Sequence, residues 1–225
     1  MIEIERTEVY GWESAIHGMR NPMNSWKKSD SDWFTENKIA GYPYDDGMMM
    51  VFDVGSNDLA LMKHLVKAGT DHSKFMRMIV VTCDIIAPLY WWKEFDTYKV
   101  GTVRNSCSTM QKIHSKEFAL DDFSHEHLLN ESDVNSGDKV YEITLEAVII
   151  ALNDARSRYL NTHDKKYWWQ MIQLLPSSYN QKATVQMNYQ VLRNMYHGRK
   201  NHKLDEWKEF CDWIESLPYS ELITE

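Results

Sequence analysis

Asn188 and Arg199 stand eleven residues apart. That is close to three helical turns, so a helix over 188–199 points both side chains the same way, with Leu192, Met195 and Tyr196 between them. An amide and a guanidinium on an apolar stripe must each find a partner, because unpaired burial is costly. One candidate partner is a carboxylate elsewhere in the fold. The other is a ligand, with the Arg on a phosphate or carbonyl oxygen and the Asn on an amide edge. Asp121, Asp122, His125 and His127 collect metal-ligand types within seven residues. His-x-His without another spaced ligand is a weak metal signal, so the stretch reads as solvated loop and no metal is expected. Cys107 lies between Ser106 and Ser108. No nucleophile elbow surrounds it, and a small polar turn fits better than a catalytic thiol. The basic run His197 to Lys203 falls near a helix end, where the dipole favours cations. It reads as a helix terminus rather than a nucleic-acid patch.

These residues sit in a chain of 225 residues with 43% hydrophobic and 26% charged residues, the balance of one globular domain rather than a disordered chain. The net charge of −8 argues against whole-surface attraction to nucleic acid or acidic membranes. No apolar run reaches the length of a membrane span, and the first residues, MIEIER, lack the pattern of a signal peptide. Cys83, Cys107 and Cys211 are far apart and form no CxxC pair, which suggests reduced thiols in a cytoplasmic protein. Nine Trp and twelve Tyr are a heavy aromatic load. Large rings of this kind fill cores and subunit interfaces, or form a stacking wall for a planar ligand such as a flavin or a base.

The positioning elements follow from periodicity. Residues 1–56 are irregular, with turn signals at Asn21-Pro22, Gly41-Tyr42-Pro43 and Asp45-Asp46-Gly47, a first helix near Glu13 to Met19, and a short apolar run at Met48 to Val51. Asn57 can cap a helix through Leu61, Met62, Leu65 and Val66 that Gly69 ends. Met78 to Ile86 is β-branched and nearly continuous, a well-buried strand closed by Pro88. Leu89 to Val100 carries Trp91, Trp92, Phe95 and Tyr98 at helical spacing. A polar segment follows at Arg104 to Thr109, and the acidic stretch 116–138 reads as a mobile loop. A long helix over Lys139 to Leu160 is expected to line one side with Ile143, Ala147, Ile150, Ala151 and Ala155. A helix over Tyr167 to Leu175, an extended piece at Gln181 to Gln186, a helix from Met187, and an amphipathic tail over Leu204 to Leu217 complete the chain. The class is helix-dominated α+β in a single domain.

Residues about 57–110 and 140–200 resemble the flavin-dependent thymidylate synthases, the ThyX family. Gly69-Thr-Asp-His-Ser-Lys-Phe75 and the strand ending Asp84-Ile-Ile-Ala-Pro88 are similar to that family's Gly-His-x-(Thr/Ser)-Pro-Phe-Glu-His segment and the strand after it. Leu175-Pro176, Asn188, Asn194 and Arg199 match Leu-Pro…Asn-x-Arg-x-Leu-x-Asn-x-x-x-x-Arg without a gap. The resemblance implies a central, mostly antiparallel sheet covered by helices. It places His72, Lys99, Asn188 and Asn194 on FAD. It places Glu94, Ser106, Cys107, Ser108 and Arg199 on a pyrimidine nucleotide, with Arg199 also activating the base. It further implies a homotetramer, with NADPH as reductant and methylenetetrahydrofolate as one-carbon donor in nucleotide biosynthesis.

The hallmark Arg-His-Arg-x-x-Ser-x-x-x-x-Ser-x-Arg-Tyr aligns with Thr97 to Met110, which here reads TYKVGTVRNSCSTM. Lys99 keeps a charge, Thr102 keeps a hydroxyl, and the second Ser falls on Cys107. Ile172 and Gln190 stand where the family has Arg, Arg77 stands where it has Glu, and Glu94 stands where a Gln is usual. Two function classes follow. The first is a divergent methyltransferase-like flavoprotein. The second is a catalytically inactive ThyX-like module that binds a ligand or a protein partner.

Overall fold

Val80–Pro88 is rich in β-branched residues, and as strand β4 it buries Val81, Cys83, Ile85 and Ala87. An almost uninterrupted apolar strand needs cover on both faces. In the computed structural model β4 lies inside a four-stranded sheet of order β1-β4-β6-β5, within a mixed helix and antiparallel-sheet architecture. The structure describes residues 2–37, 48–130 and 140–225, with the side chains of 35–37 and 48–50 excepted. The turn signals at 41–47 and the later part of the acidic loop, 131–138, lie outside the described residues.

The elements run β1 (Glu3–Tyr10), α1 (Trp12–Arg20), β2 (Asp32–Asn37), β3 (Met48–Asp53), α2 (Ser56–Lys67), β4, α3 (Leu89–Phe95), β5 (Val103–Ser106), α4 (Thr109–Lys112), α5 (Glu142–Thr162), α6 (Lys165–Leu174), β6 (Asn180–Asn188), α7 (Tyr189–Arg199), α8 (Asp205–Glu215) and α9 (Glu221–Thr224). β2 and β3 pair antiparallel, with Trp33 opposite Phe52. The chain divides into two compact units, the first comprising 1–6, 83–185 and 203–210, and the second 7–82, 186–202 and 211–225.

The first unit is built on rings. Trp91, Trp92, Phe95, Trp207 and Phe210 are all buried, with Trp91 5.0 Å from Trp92 and 4.9 Å from Trp207 between ring centroids. Each large ring removes much apolar surface from water, and edge-to-face pairs add about 0.5–1.5 kcal/mol beyond burial. The adjacent pair Trp91-Trp92 is therefore core rather than a wall for a planar ligand. A second cluster joins Phe118 and Phe123 to Leu145, Ile149, Leu152, Ala155 and Met171. The opening of the acidic stretch is thus anchored by two buried phenylalanines, with Phe123 bridged to Tyr179.

In the second unit α9 packs against α2 and α7, and the indole of Trp12 on α1 meets Tyr189 and Tyr219 edge-on at 5.2 and 5.0 Å. Its deepest polar contact is Arg20 Nε to Asp58 Oδ1 at 2.6 Å. Ser29 Oγ and Ser31 Oγ also donate to Asp58, at 2.6 and 2.7 Å.

Three expectations change. The N-terminal stretch is not irregular, because it contains strand β1, whose mostly exposed positions show no apolar alternation. Asn57 does not cap α2. Asp30 does so from a distance, accepting from the Asn57 and Asp58 N–H groups at 2.9 and 3.0 Å. On α5 the buried positions are Leu145, Ile149, Leu152 and Ala155, while Ile143 and Ile150 are exposed. That helix is apolar on more than one face, so periodicity alone could not choose between them.

Candidate functional site

In the second unit the site residues gather on α7 and on the turn before β4. Asn188 ends β6 in extended backbone and caps α7, its Oδ1 accepting the Val191 N–H at 3.0 Å. Asn is a preferred cap because its short side chain satisfies a free helix N–H. Asn188 therefore precedes the helix and does not share a helical stripe with Arg199, contrary to the expectation from spacing, since the strand runs two residues beyond the expected Gln186. Asn194 is exposed on α7. Its Oδ1 accepts from Gln190 Nε2 at 3.3 Å, and Gln190 Oε1 accepts from Ser73 Oγ at 3.4 Å. Gln190 thereby ties Asn194 to the turn that carries His72. That turn is set by Gly69, whose φ of +105° suits glycine and whose carbonyl accepts both the His72 and Ser73 N–H groups at 3.1 Å. His72 is exposed. Arg199 is half-buried and closes α7, with its carbonyl accepting the His202 N–H at 2.8 Å.

In the sequence Gln190 stands out only as the residue where the ThyX family has Arg, and its i, i+4 relation to Asn194 is the local signal for the pairing. Arg193 carries no such local signal. It donates to the Leu222 and Ile223 carbonyls at 3.4 and 3.2 Å and so fastens α9. Burial lowers its pKa, against the pull of Glu225.

In the first unit Glu94 is half-buried on α3 and accepts from Trp207 Nε1 at 3.2 Å. Lys99 is exposed after the 3-10 turn 96–98. Arg104 lies 3.1 Å from Asp96, without hydrogen-bond alignment at that nitrogen, and 4.8 Å above the Trp92 ring. Ser106 ends β5. Cys107 is exposed, but its backbone is held on both sides. Its N–H donates to the Lys182 carbonyl at 2.9 Å, and its carbonyl accepts from Gln181 Nε2 at 2.7 Å. Ser108 Oγ caps α4 through the Gln111 N–H at 3.0 Å.

Cys107 and Ser108 open onto a cavity of about 560 Å³ that Lys112, Asn180 and Lys182 also line. Glu94, Lys99 and Ser106 are not among its described lining residues. Lys182 pairs with Glu5 at 2.8 Å and with Asp84 at 3.4 Å. The hydrogen bond and charge of Lys182 hold Glu5 below the ordinary carboxylate range. Asp84 is held down first by Thr184, whose Oγ1 donates at 2.6 Å, and then by Lys182. Asn180 Oδ1 is buried without a hydrogen-bond partner, an acceptor that a donor would satisfy.

The carboxylate–imidazole stretch disperses. Asp122 pairs with Lys116, His125 Nδ1 lies 2.8 Å from the Phe123 carbonyl, and His127 Nε2 lies 3.1 Å from Asp205. Among the described residues no three metal-ligating side chains converge, and no helix is long and apolar enough to cross a membrane.

The donor set suits the groups that the resemblance implies. Exposed imidazole and amide groups around α7 match the polar edge of a flavin ring. The orphan acceptor of Asn180 matches a base N–H, in a cavity where Lys112 stands beside the carboxylates Glu3, Asp121 and Asp122.

No protein-family profile and no curated protein matches the chain. Solved structures do. The flavin-dependent thymidylate synthase ThyX from Helicobacter pylori, complexed with FAD and dUMP, is similar at 17% identity and a TM-score of 0.65, over 98% of this chain and 97% of that one. The UMP/dUMP methylase PolB from Streptomyces cacaoi is similar at 13% identity and a TM-score of 0.57 when bound with 5-Br dUMP, over 100% of this chain and 95% of that one. With 5-Br UMP the values are 12% and 0.61, over 100% and 94%. From end to end, the chain has the fold of the flavin-dependent thymidylate synthases.

Proposed function

We propose that this protein is a divergent ThyX-like flavoprotein that binds FAD and a pyrimidine nucleotide and transfers a one-carbon unit to the pyrimidine. The observation that carries this reading is the end-to-end similarity to two kinds of pyrimidine-nucleotide enzyme, together with the polar cluster on α7. Bound reduced flavin supplies a hydride, with NADPH and methylenetetrahydrofolate as the reductant and one-carbon donor that the resemblance implies. The chain's own residues bind and orient. His72, Asn188, Asn194 and Lys99 hold the flavin. Glu94, Ser106, Cys107 and Ser108 hold the nucleotide. Arg199 places a planar cation against a pyrimidine carbonyl and stabilises charge as the ring becomes nucleophilic. A homotetramer lets one subunit complete another's site, and the buried Cys83 and Cys211 suit a reducing cytoplasm.

The test is mass spectrometry of ligands released from purified protein, followed by titration with FAD, dUMP and UMP. Co-purified flavin and saturable binding of either nucleotide are expected. Colourless protein that binds none of the three overturns the reading.

A second reading has its own observation. Arg104, the one arginine in the hallmark stretch, already faces Asp96 and stacks on Trp92. A protein that keeps the fold but has only Lys99 as an unpaired cation in that stretch, among the described residues, binds ligand without methyl transfer. Binding of nucleotide without turnover in the presence of FAD, NADPH and methylenetetrahydrofolate selects this reading.

A further inference from the structure

Another cavity belongs to neither ligand assigned above. It lies in the second unit, measures about 1140 Å³, and is bordered by the end of β1, α1, strands β2 and β3, Trp213 and the segment 216–219. Trp12, Trp33, Phe34, Phe52, Trp213 and Tyr219 line it, together with Tyr10 at its rim. The walls are braced. Trp33 and Phe52 meet edge-on at 5.1 Å across the paired strands β2 and β3, and Trp213 Nε1 donates to Thr7 Oγ1 at 3.1 Å.

Its charge is one-sided. Glu13 and Asp53 line the cavity, and no Lys, Arg or His stands among its described lining residues. Each carboxylate is oriented by one wall. Glu13 Oε2 accepts from Trp33 Nε1 at 3.2 Å, and Asp53 Oδ1 accepts from the Tyr219 hydroxyl at 3.3 Å. Two anionic groups without a cation disfavour an anionic occupant such as FAD or a nucleotide phosphate. Aromatic faces attract a cation through the ring quadrupole, and they also cover an apolar body. The net charge of −8 adds attraction of the same sign.

We propose that this cavity is a second ligand site that takes a small organic cation, an ammonium or quaternary ammonium head on an apolar or aromatic body. The head sits between the ring faces, with Glu13 and Asp53 as counter-charges. The body occupies the remaining apolar volume.

Calorimetric titration of the purified protein with three probes of similar shape tests this. Benzyltrimethylammonium carries the cation, benzyl alcohol is neutral, and phenylacetate is anionic. Binding of the cation is expected to be about tenfold tighter than that of the alcohol, with no detectable binding of phenylacetate. The Glu13→Gln/Asp53→Asn double variant keeps an acceptor for Trp33 and for Tyr219. It is expected to weaken the cation about tenfold while leaving the alcohol unchanged. Equal affinity for cation and alcohol overturns the proposal, as does absence of cation binding at millimolar concentration or wild-type affinity in the double variant. If the double variant does not fold, the three-probe series on the wild-type protein decides alone.

Discussion

Gln190 Nε2 lies 3.3 Å from Asn194 Oδ1, and through Ser73 the same side chain reaches the turn that holds His72. A residue standing where the ThyX family has an arginine here braces two elements proposed to hold the flavin. Replacing a cation by an amide lowers the local positive charge and gains a fixed hydrogen-bond geometry.

Gln190→Ala removes that brace. It is expected to weaken FAD by about three- to tenfold, the equivalent of one neutral hydrogen bond. Asn194→Ala should do the same, and the double variant should be no worse than the more affected single. Flavin titration checks this, and additive effects count against a shared network.

Arg199→Ala is expected to weaken nucleotide binding by about 10- to 100-fold, the scale of a charge-assisted hydrogen bond, with the melting temperature little changed. Arg199→Lys should rescue poorly, because an ammonium cannot reproduce the planar fork. Unfolding of the alanine variant, with no nucleotide binding by the wild type, identifies Arg199 as a structural ion-pair member instead.

The Arg20–Asp58 contact sets an acid limit on stability. Burial pushes the Asp58 carboxyl up, but hydrogen bonds from Ser29, Ser31 and Arg20, with the Arg20 charge, more than offset it and leave the pKa below the ordinary value. A carboxylate depressed in the folded state contributes fully above the unfolded value of about 4 and is lost as pH falls through the folded one. Denaturant midpoints should therefore drop on the acid side, and Asp58→Asn should flatten that limb. Asp58→Ala, which leaves Arg20 buried and unpaired, is expected to cost about 3–5 kcal/mol.

The three thiols should separate cleanly. Burial pushes the Cys83 thiol up to about 12, helped by Asp84, and the Cys211 thiol up to about 11. Cys107 is exposed. Iodoacetamide on native protein near pH 8 should label Cys107 alone, as peptide mass spectrometry would show. Labelling should also block nucleotide binding, because Cys107 borders the cavity that Ser108 and Asn180 share.

Light scattering at micromolar concentration should give a tetramer. A stable monomer would undercut the proposal that neighbouring subunits complete the site.

The elements whose partners are near in sequence, or whose apolar pattern is unambiguous, were legible from the chain alone. β4 announced itself by continuous β-branched character, α6 by its stop at Pro176, and the end of α2 by Gly69. Those signals come from local sterics and hydrophobic period, which need no knowledge of the neighbours. The resemblance over 69–88 and 175–199 likewise carried the fold, since spaced motifs keep their order when most side chains have changed. Tertiary structure decided the rest. Only it shows that Asp30 caps α2, that Asn188 closes a strand, and that the buried side of α5 is that of Leu145 and Ile149 rather than of Ile143 and Ile150. Only it gathers Trp12, Trp33, Phe52 and Tyr219 around one cavity with no cation among its described lining residues. Capping from a distance, the choice between two apolar faces and the shape of a cavity depend on which residues meet in space, and no local property of the chain encodes that meeting.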